Sequence, residues 1–245
     1  MTGGGRGRRG HCWTLLTLDN RYPSHLPGLR GGELFKLVTP RLPGAQFAES
    51  VVELQTGGTL ESSRAELEHF LYVLEGEVAL TGEATLALEA GGYAYQPPGA
   101  GLGFRAVGEG GARALWLQRR YEPSGELPAP APDSGHRDDG PFAALEVPGL
   151  TRRELLAADD PCLDFTMSLL RFAPGAALDR IEIHDEEHGL YMTTGAGVYE
   201  LDGERHAVHA DDFIYMAPYC PQHFQASEHA MAEYLLYKDV HRDGF

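Results

Sequence analysis

The feature that most limits what this chain can fold into is an internal duplication. Phe70-Leu71-Tyr72-Val73-Leu74-Glu75-Gly76 is answered by Gly189-Leu190-Tyr191-Met192-Thr193-Thr194-Gly195. Ala90-Gly91-Gly92-Tyr93-Ala94-Tyr95-Gln96-Pro97-Pro98 is answered by His209-Ala210-Asp211-Asp212-Phe213-Ile214-Tyr215-Met216-Ala217-Pro218. The offset is about 120 residues both times, which means two copies of one domain. Helix-like apolar periodicity is scarce, and 31 Gly and 16 Pro punctuate the chain, so each copy reads as short strands joined by turns.

In the first copy, strand-like runs cover 46–54, 68–74, 77–80, 84–88, 93–96 and 113–118. In the second they cover 162–172, 178–184, 189–193, 197–201, 206–208, 213–217 and 232–238. This is the rhythm of an all-β sandwich or barrel. The paired motifs resemble those of the cupin superfamily. That resemblance implies a bicupin, two jelly-roll β-barrels in tandem. The expected boundaries are a disordered basic, Gly-rich tail over 1–10 and an N-terminal barrel over 11–121, with residues 11–45 wrapping its outside. A linker rich in Pro and Asp follows over 122–149, then a C-terminal barrel over 150–245.

Composition narrows the partners. A net charge of −16 repels phosphate backbones and anionic lipid, so neither nucleic acid nor a membrane surface is expected to bind. No apolar run is long enough to span a bilayer, and no apolar signal core follows the basic N-terminus, which reads as a cytoplasmic protein. Cys12, Cys162 and Cys220 are few, odd in number and far apart, so a disulfide framework is not expected; Cys220 reads as a packing residue.

The chemistry concentrates in the second copy. If Leu178–His184 is a strand, Arg180, Glu182 and His184 share one face, and Ile181 and Ile183 the other. A turn at Asp185-Glu186-Glu187 then returns His188 to the same side, its carboxylates reading as solvated. Gln222 lies at the end of the second motif, and His223, its rival, faces the opposite way because adjacent strand residues alternate. Glu182, His184, His188 and Gln222 offer one anion, two imidazoles and a neutral oxygen without thiolate. Such a set suits Mn(II) or Fe(II), with Zn or Ni as further options. A lone histidine on a strand is more often structural than ligating; it is two histidines and a glutamate at this spacing that point to a metal. Tyr234 and Lys238 alternate with Leu235 and Tyr237 on the last strand and share the inward face, and Tyr199 lines the same space. Barrel filling is the competing reading for the two tyrosines, and an exposed strand end for Lys238.

Aligning the copies provides an internal control. His188 corresponds to His69, but the Glu182 and His184 positions fall in 62–65 without a ligand pair. Gln222 corresponds to Leu102, Tyr199 to Leu80, Tyr234 to Ala114 and Lys238 to Gln118. The first barrel is therefore expected to be structural.

The second-copy motifs, with Gly91–Gly99 and Pro23–Gly31 of the first, closely resemble the (S)-ureidoglycine aminohydrolase family of purine (allantoin) catabolism. The chain departs from it at His223, where the family tends to carry Trp. The resemblance implies a Mn(II)-dependent hydrolase converting a small-molecule substrate, (S)-ureidoglycine, to (S)-ureidoglycolate and ammonia. By residue match Glu182, His184, His188 and Gln222 would hold the metal, and Tyr199, Tyr234 and Lys238 would contact substrate. Glu182 would double as a base, and Tyr234 or Lys238 would protonate the leaving ammonia. Family members form homo-oligomers, octamers in some cases. Two other readings stay open on the residues alone. One is another metal cupin enzyme, such as a dioxygenase or isomerase, and the other a non-enzymatic cupin that binds a small ligand.

Overall fold

The computed structural model describes residues 5–81 and 86–240, so residues 1–4 of the expected tail and 84–85 of the expected strand run 84–88 lie outside the described residues. Apart from the short 3-10 turn Leu18–Asn20, the regular structure is β. It divides into two compact units, one of residues 22–139 and the other of residues 1–21 with 140–245.

In the first unit, two long strands, Phe47–Ser62 and Leu67–Thr81, run through both faces of the barrel. Both pair with Ala112–Arg120 through their first halves and with Leu102–Ala106 through their ends. Leu67–Thr81 turns the corner at Gly76, whose φ is +75° and whose added Cβ would sit 2.2 Å from the Gly111 carbonyl oxygen. Only glycine fits there. Leu34, Val52, Leu71, Val78, Phe104 and Trp116 fill the interior.

The second unit breaks at the equivalent corner. His188–Thr194 ends before Gly195, with φ +78°, and Ala196–Leu201 begins a second sheet. An eight-stranded sheet and a three-stranded sheet result, the latter being Glu204–His209, Ala196–Leu201 and Gln222–Ala226. Phe172, Leu190, Met192, Leu201, Ile214 and Phe224 fill the space within.

The unit boundaries correct the linear partition. Trp13–Leu16 does not wrap the first barrel; it pairs with Phe213–Met216 of the second. Arg8–Arg9 extends that sheet, and both Arg6 Nη atoms reach the buried Asp212 carboxylate at 2.9 Å, so residues 5–10 are ordered rather than tail-like. The presumed linker is structured as well. Asp133–His136 pairs with Gly92–Gln96, and Ala143–Ala144 with Leu150–Leu156. Gly92–Gln96 and Phe213–Met216 are duplicates of one another, so each barrel receives the same extra strand from outside its own repeat. The segment 178–184 is also not a strand: Asp179 and Arg180 bend, and only Glu182 makes a ladder-like bridge, to Gln222.

The registers of the two units coincide. His188 lies opposite Lys238 as His69 lies opposite Gln118, and Tyr199 opposite Phe224 as Leu80 lies opposite Phe104. His69 is buried against Trp116, whose Nε1–H donates to its Nδ1 at 3.3 Å. Burial pushes its pKa down to about 4, against the opposing pull of the Arg64 carbonyl and Glu66. Because the folded value lies below the unfolded one, stability contributed by neutral His69 is present above the unfolded pKa and lost as pH falls toward the folded pKa. The loss runs from about pH 6.5 to about pH 4 and totals roughly 3 kcal/mol. Denaturant unfolding of the wild type and His69→Gln at a series of pH values checks this, since Gln keeps an acceptor for Trp116 but does not titrate. The variant should show a shallower decline over that window; equal slopes would rule out His69 as a source.

Candidate metal centre

One cavity of about 430 Å³ in the second unit is lined by every site residue read from the sequence: Glu182, His184, His188, Tyr199, Gln222, Tyr234 and Lys238. They come from five places, Tyr199 from the strand Ala196–Leu201. Glu182 and His184 sit on the irregular 178–184 segment, and His188 opens the strand His188–Thr194. Gln222 opens Gln222–Ala226, while Tyr234 and Lys238 stand four residues apart on Ala232–Asp239, facing the same way by strand alternation. The irregular segment is fixed to the barrel by a reciprocal backbone pair. Glu182 N–H donates to the Gln222 carbonyl at 2.8 Å, and Gln222 N–H to the Glu182 carbonyl at 3.0 Å. Ile181 and Ile183, on the other side of that segment, are exposed.

The imidazoles of His184 and His188 lie with ring centroids 5.0 Å apart. His188 Nδ1 is 2.9 Å from the Glu186 carbonyl, so Nδ1 carries the hydrogen and Nε2 keeps its lone pair. Burial, reinforced by the charges of Lys238 and His184, lowers the His188 pKa to about 3 and holds the ring neutral. His184 Nε2 lies 3.1 Å from Glu182 Oε2, and this hydrogen bond lowers the Glu182 pKa against the opposing effect of burial. Gln222 is buried, and its amide oxygen accepts from the Tyr199 hydroxyl at 2.9 Å. Burial raises the pKa values of Tyr199 and Tyr234, so both stay protonated. His223 is on the other side of its strand, with Nε2 2.9 Å from the Leu178 carbonyl.

Among the described residues, no three His, Cys, Asp or Glu side chains stand as a finished cation cage. Glu182 and His184 are hydrogen-bonded to one another, and the fourth donor is an amide oxygen. The donor types nonetheless fit a divalent cation of borderline hardness: a carboxylate held ionised, two imidazoles, one of them with a free lone pair, and an oriented carbonyl.

Two expectations from the turn fail. Glu186 is not a solvated charge: its carboxylate pairs with Lys238 Nζ at 3.0 Å on the cavity wall. Burial pushes its pKa up, but the Lys238 hydrogen bond and charge outweigh this, and the net shift is downward. Glu187 is 1% exposed and buried on the face of the sheet opposite His188, accepting from the hydroxyls of Tyr237 at 3.2 Å and Tyr215 at 3.3 Å. Sequence reasoning also passed over Arg152 and Glu154, which line the cavity and form an ion pair at 2.7 Å, and over Thr166 and Ser168. Their signal was present. Leu150, Arg152 and Glu154 alternate along one strand, as do Thr166, Ser168 and Leu170 along the next.

A cupin domain family model matches the chain twice, over residues 50–118 and 168–237. The chain is 34% identical to the (S)-ureidoglycine aminohydrolase of Escherichia coli (strain K12) over 237 residues, covering 94% of this chain and 89% of that protein. It is 31% identical to the Arabidopsis thaliana enzyme of the same name, over 96% of this chain and 78% of that one. The crystal structure of protein Ylba from E. coli superposes with a TM-score of 0.86 at 32% identity, over 98% of this chain and 96% of that one. The duplicated barrel, the cavity in its second copy and these relatives together place the chain in the cupin superfamily, within the (S)-ureidoglycine aminohydrolase family.

Proposed function

We propose that this chain is an enzyme that hydrolyses (S)-ureidoglycine to (S)-ureidoglycolate and ammonia in purine (allantoin) catabolism, with Mn(II) as its cofactor. The observation that carries the reading is the convergence of seven side chains of matching chemistry on one cavity, in a chain so similar to named enzymes of that activity. Glu182, His184, His188 and Gln222 would hold the cation, which supplies positive charge to anchor the substrate's carboxylate and amine.

The remaining work falls to the chain's own groups. His188 enters as a neutral donor because burial keeps it so. Tyr199 fixes the Gln222 amide with its oxygen turned to accept. The Lys238 ammonium compensates anionic charge in the cavity and is itself aimed by Glu186. Glu182, ionised yet held by a hydrogen bond to His184 alone among side chains, is placed to take a proton from water. Ammonia must leave protonated, and the donors facing the cavity are the neutral Tyr234 hydroxyl and Lys238. Leu150, Leu170, Leu178 and Leu236 complete the wall and restrict water.

Ammonia release from freshly generated (S)-ureidoglycine, with chiral analysis of the product, tests the reading. The chain should give ammonia with (S)-ureidoglycolate, lose that activity to a chelator and regain it on addition of Mn(II). Racemic product with and without protein would defeat the assignment, because spontaneous decay has no handedness.

Lys238→Met separates substrate chemistry from metal holding. Elemental analysis should find its metal content unchanged, while turnover falls by about a hundredfold. Wild-type turnover in this variant would remove Lys238 from the reaction.

A further inference from the structure

Cys12 and Cys220 are 208 positions apart in sequence, yet their Sγ atoms lie 2.7 Å apart, and both side chains are thiols. Cys12 immediately precedes the strand Trp13–Leu16, which the N-terminal segment contributes to the second unit. Cys220 lies in the loop between Phe213–Met216 and Gln222–Ala226, two residues before Gln222. The backbones are already docked there: Ala217 N–H donates to the Cys12 carbonyl at 2.8 Å. The same loop reaches the other side of the site, because Tyr219 N–H donates to the His184 carbonyl. Tyr219 takes a left-handed φ of +62°, uncommon for a residue with a side chain, so the loop is held in a specific shape.

We propose that Cys12 and Cys220 are a disulfide-forming pair, a modification site that ties the N-terminal segment to the loop carrying Gln222. Disulfides require sulfur atoms near 2 Å and Cα atoms within about 7 Å, and two thiols already in contact need little further movement. Cys12 is partly exposed and Cys220 is buried, which sets the order of events. With a low-molecular-weight disulfide such as oxidised glutathione as oxidant, the Cys12 sulfur attacks one of its sulfurs. The old S–S bond breaks, one glutathione thiol leaves with a proton, and a mixed disulfide forms. The Cys220 sulfur then displaces the second glutathione thiol. Two protein thiols are oxidised, one glutathione disulfide is reduced to two thiols, and no other reactant is needed. The resulting bond closes a loop of more than two hundred residues, and long loops are where a cross-link restricts the unfolded chain most.

The test treats the full-length protein with oxidised glutathione, blocks remaining thiols with iodoacetamide under denaturing conditions, and maps the peptides by mass spectrometry. The expected result is a Cys12–Cys220 linked peptide that has lost two hydrogens and is restored by dithiothreitol, with Cys162 alone alkylated. The melting temperature of the oxidised protein should rise by roughly 5 °C over the reduced protein. Cys12→Ser, at the partly exposed position, should lose both the linked peptide and the redox-dependent rise while retaining the reduced wild-type melting temperature. Three alkylated thiols, glutathione left on Cys12, or a link through Cys162 or between chains would each overturn the proposal. None of these outcomes depends on the metal or on the substrate.

Discussion

The site depends on one reciprocal pair of backbone hydrogen bonds, between Glu182 and Gln222. Glu182 lies in a segment with no regular strand, flanked by the bend at Asp179–Arg180 and the turn at Asp185–Glu186. A carboxylate on such a segment would ordinarily sample solvent, since loops lack the ladder that fixes side-chain direction. This pairing, with Leu178 N–H donating to the Phe224 carbonyl and Tyr219 N–H to the His184 carbonyl, gives the segment strand-like alternation where it is needed. Glu182 and His184 face the cavity, and Ile181 and Ile183 are left outside. The same pair sets the height of Gln222, whose side chain is then aimed by Tyr199. Two donors on an irregular segment are thereby brought into line with Gln222, while His188 is placed by the ladder of its own strand.

The two copies show which part of this arrangement the fold supplies and which part residues must add. Strand registers are the same around His69 and His188, down to the residues opposite them on the last strand. The barrel thus presents a buried imidazole at this point whether or not chemistry is carried out. In the first unit it lies against Trp116, and burial is the largest influence on its protonation. In the second its neighbours are Glu182, His184 and Lys238, and the same burial keeps it neutral within a charged cavity. A shared backbone with divergent side chains is what a duplication followed by loss in one half leaves behind.

The fold class was legible in the sequence because duplication and strand alternation are local, repeated signals. The inward residues were legible for the same reason: Tyr234 and Lys238 follow from period two on a strand with Leu235 and Tyr237 between them. What escaped was everything set by distant partners. Trp13–Leu16 joins the second barrel through pairing some two hundred positions away, and no local pattern says which of two similar barrels an extra strand will choose. Cys12 and Cys220 looked unrelated on the same ground. Leu178–His184 read as a strand from its alternation, but alternation is blind to whether a neighbouring strand is present to pair with.

The run Asp185-Glu186-Glu187 misled for a different reason, and its correction explains how His188 is held. Three acids in a turn read as solvent-facing because isolated buried carboxylates cost several kcal/mol. Here each glutamate has a partner. The Glu186 side chain holds Lys238, and its carbonyl accepts from His188 Nδ1. The Glu187 side chain takes two tyrosine hydroxyls on the buried face of the sheet away from the cavity, and its carbonyl accepts from Asp239 N–H at 3.2 Å. Successive residues thus grip opposite sides of the sheet, one toward the cavity and one toward the buried face behind it. His188 is pinned from both, in tautomer as well as position. A solvated turn would have left the ring free to rotate and either nitrogen free to carry the proton. Buried charge at this turn therefore serves placement more than stability, since its hydrogen bonds do little beyond offsetting desolvation.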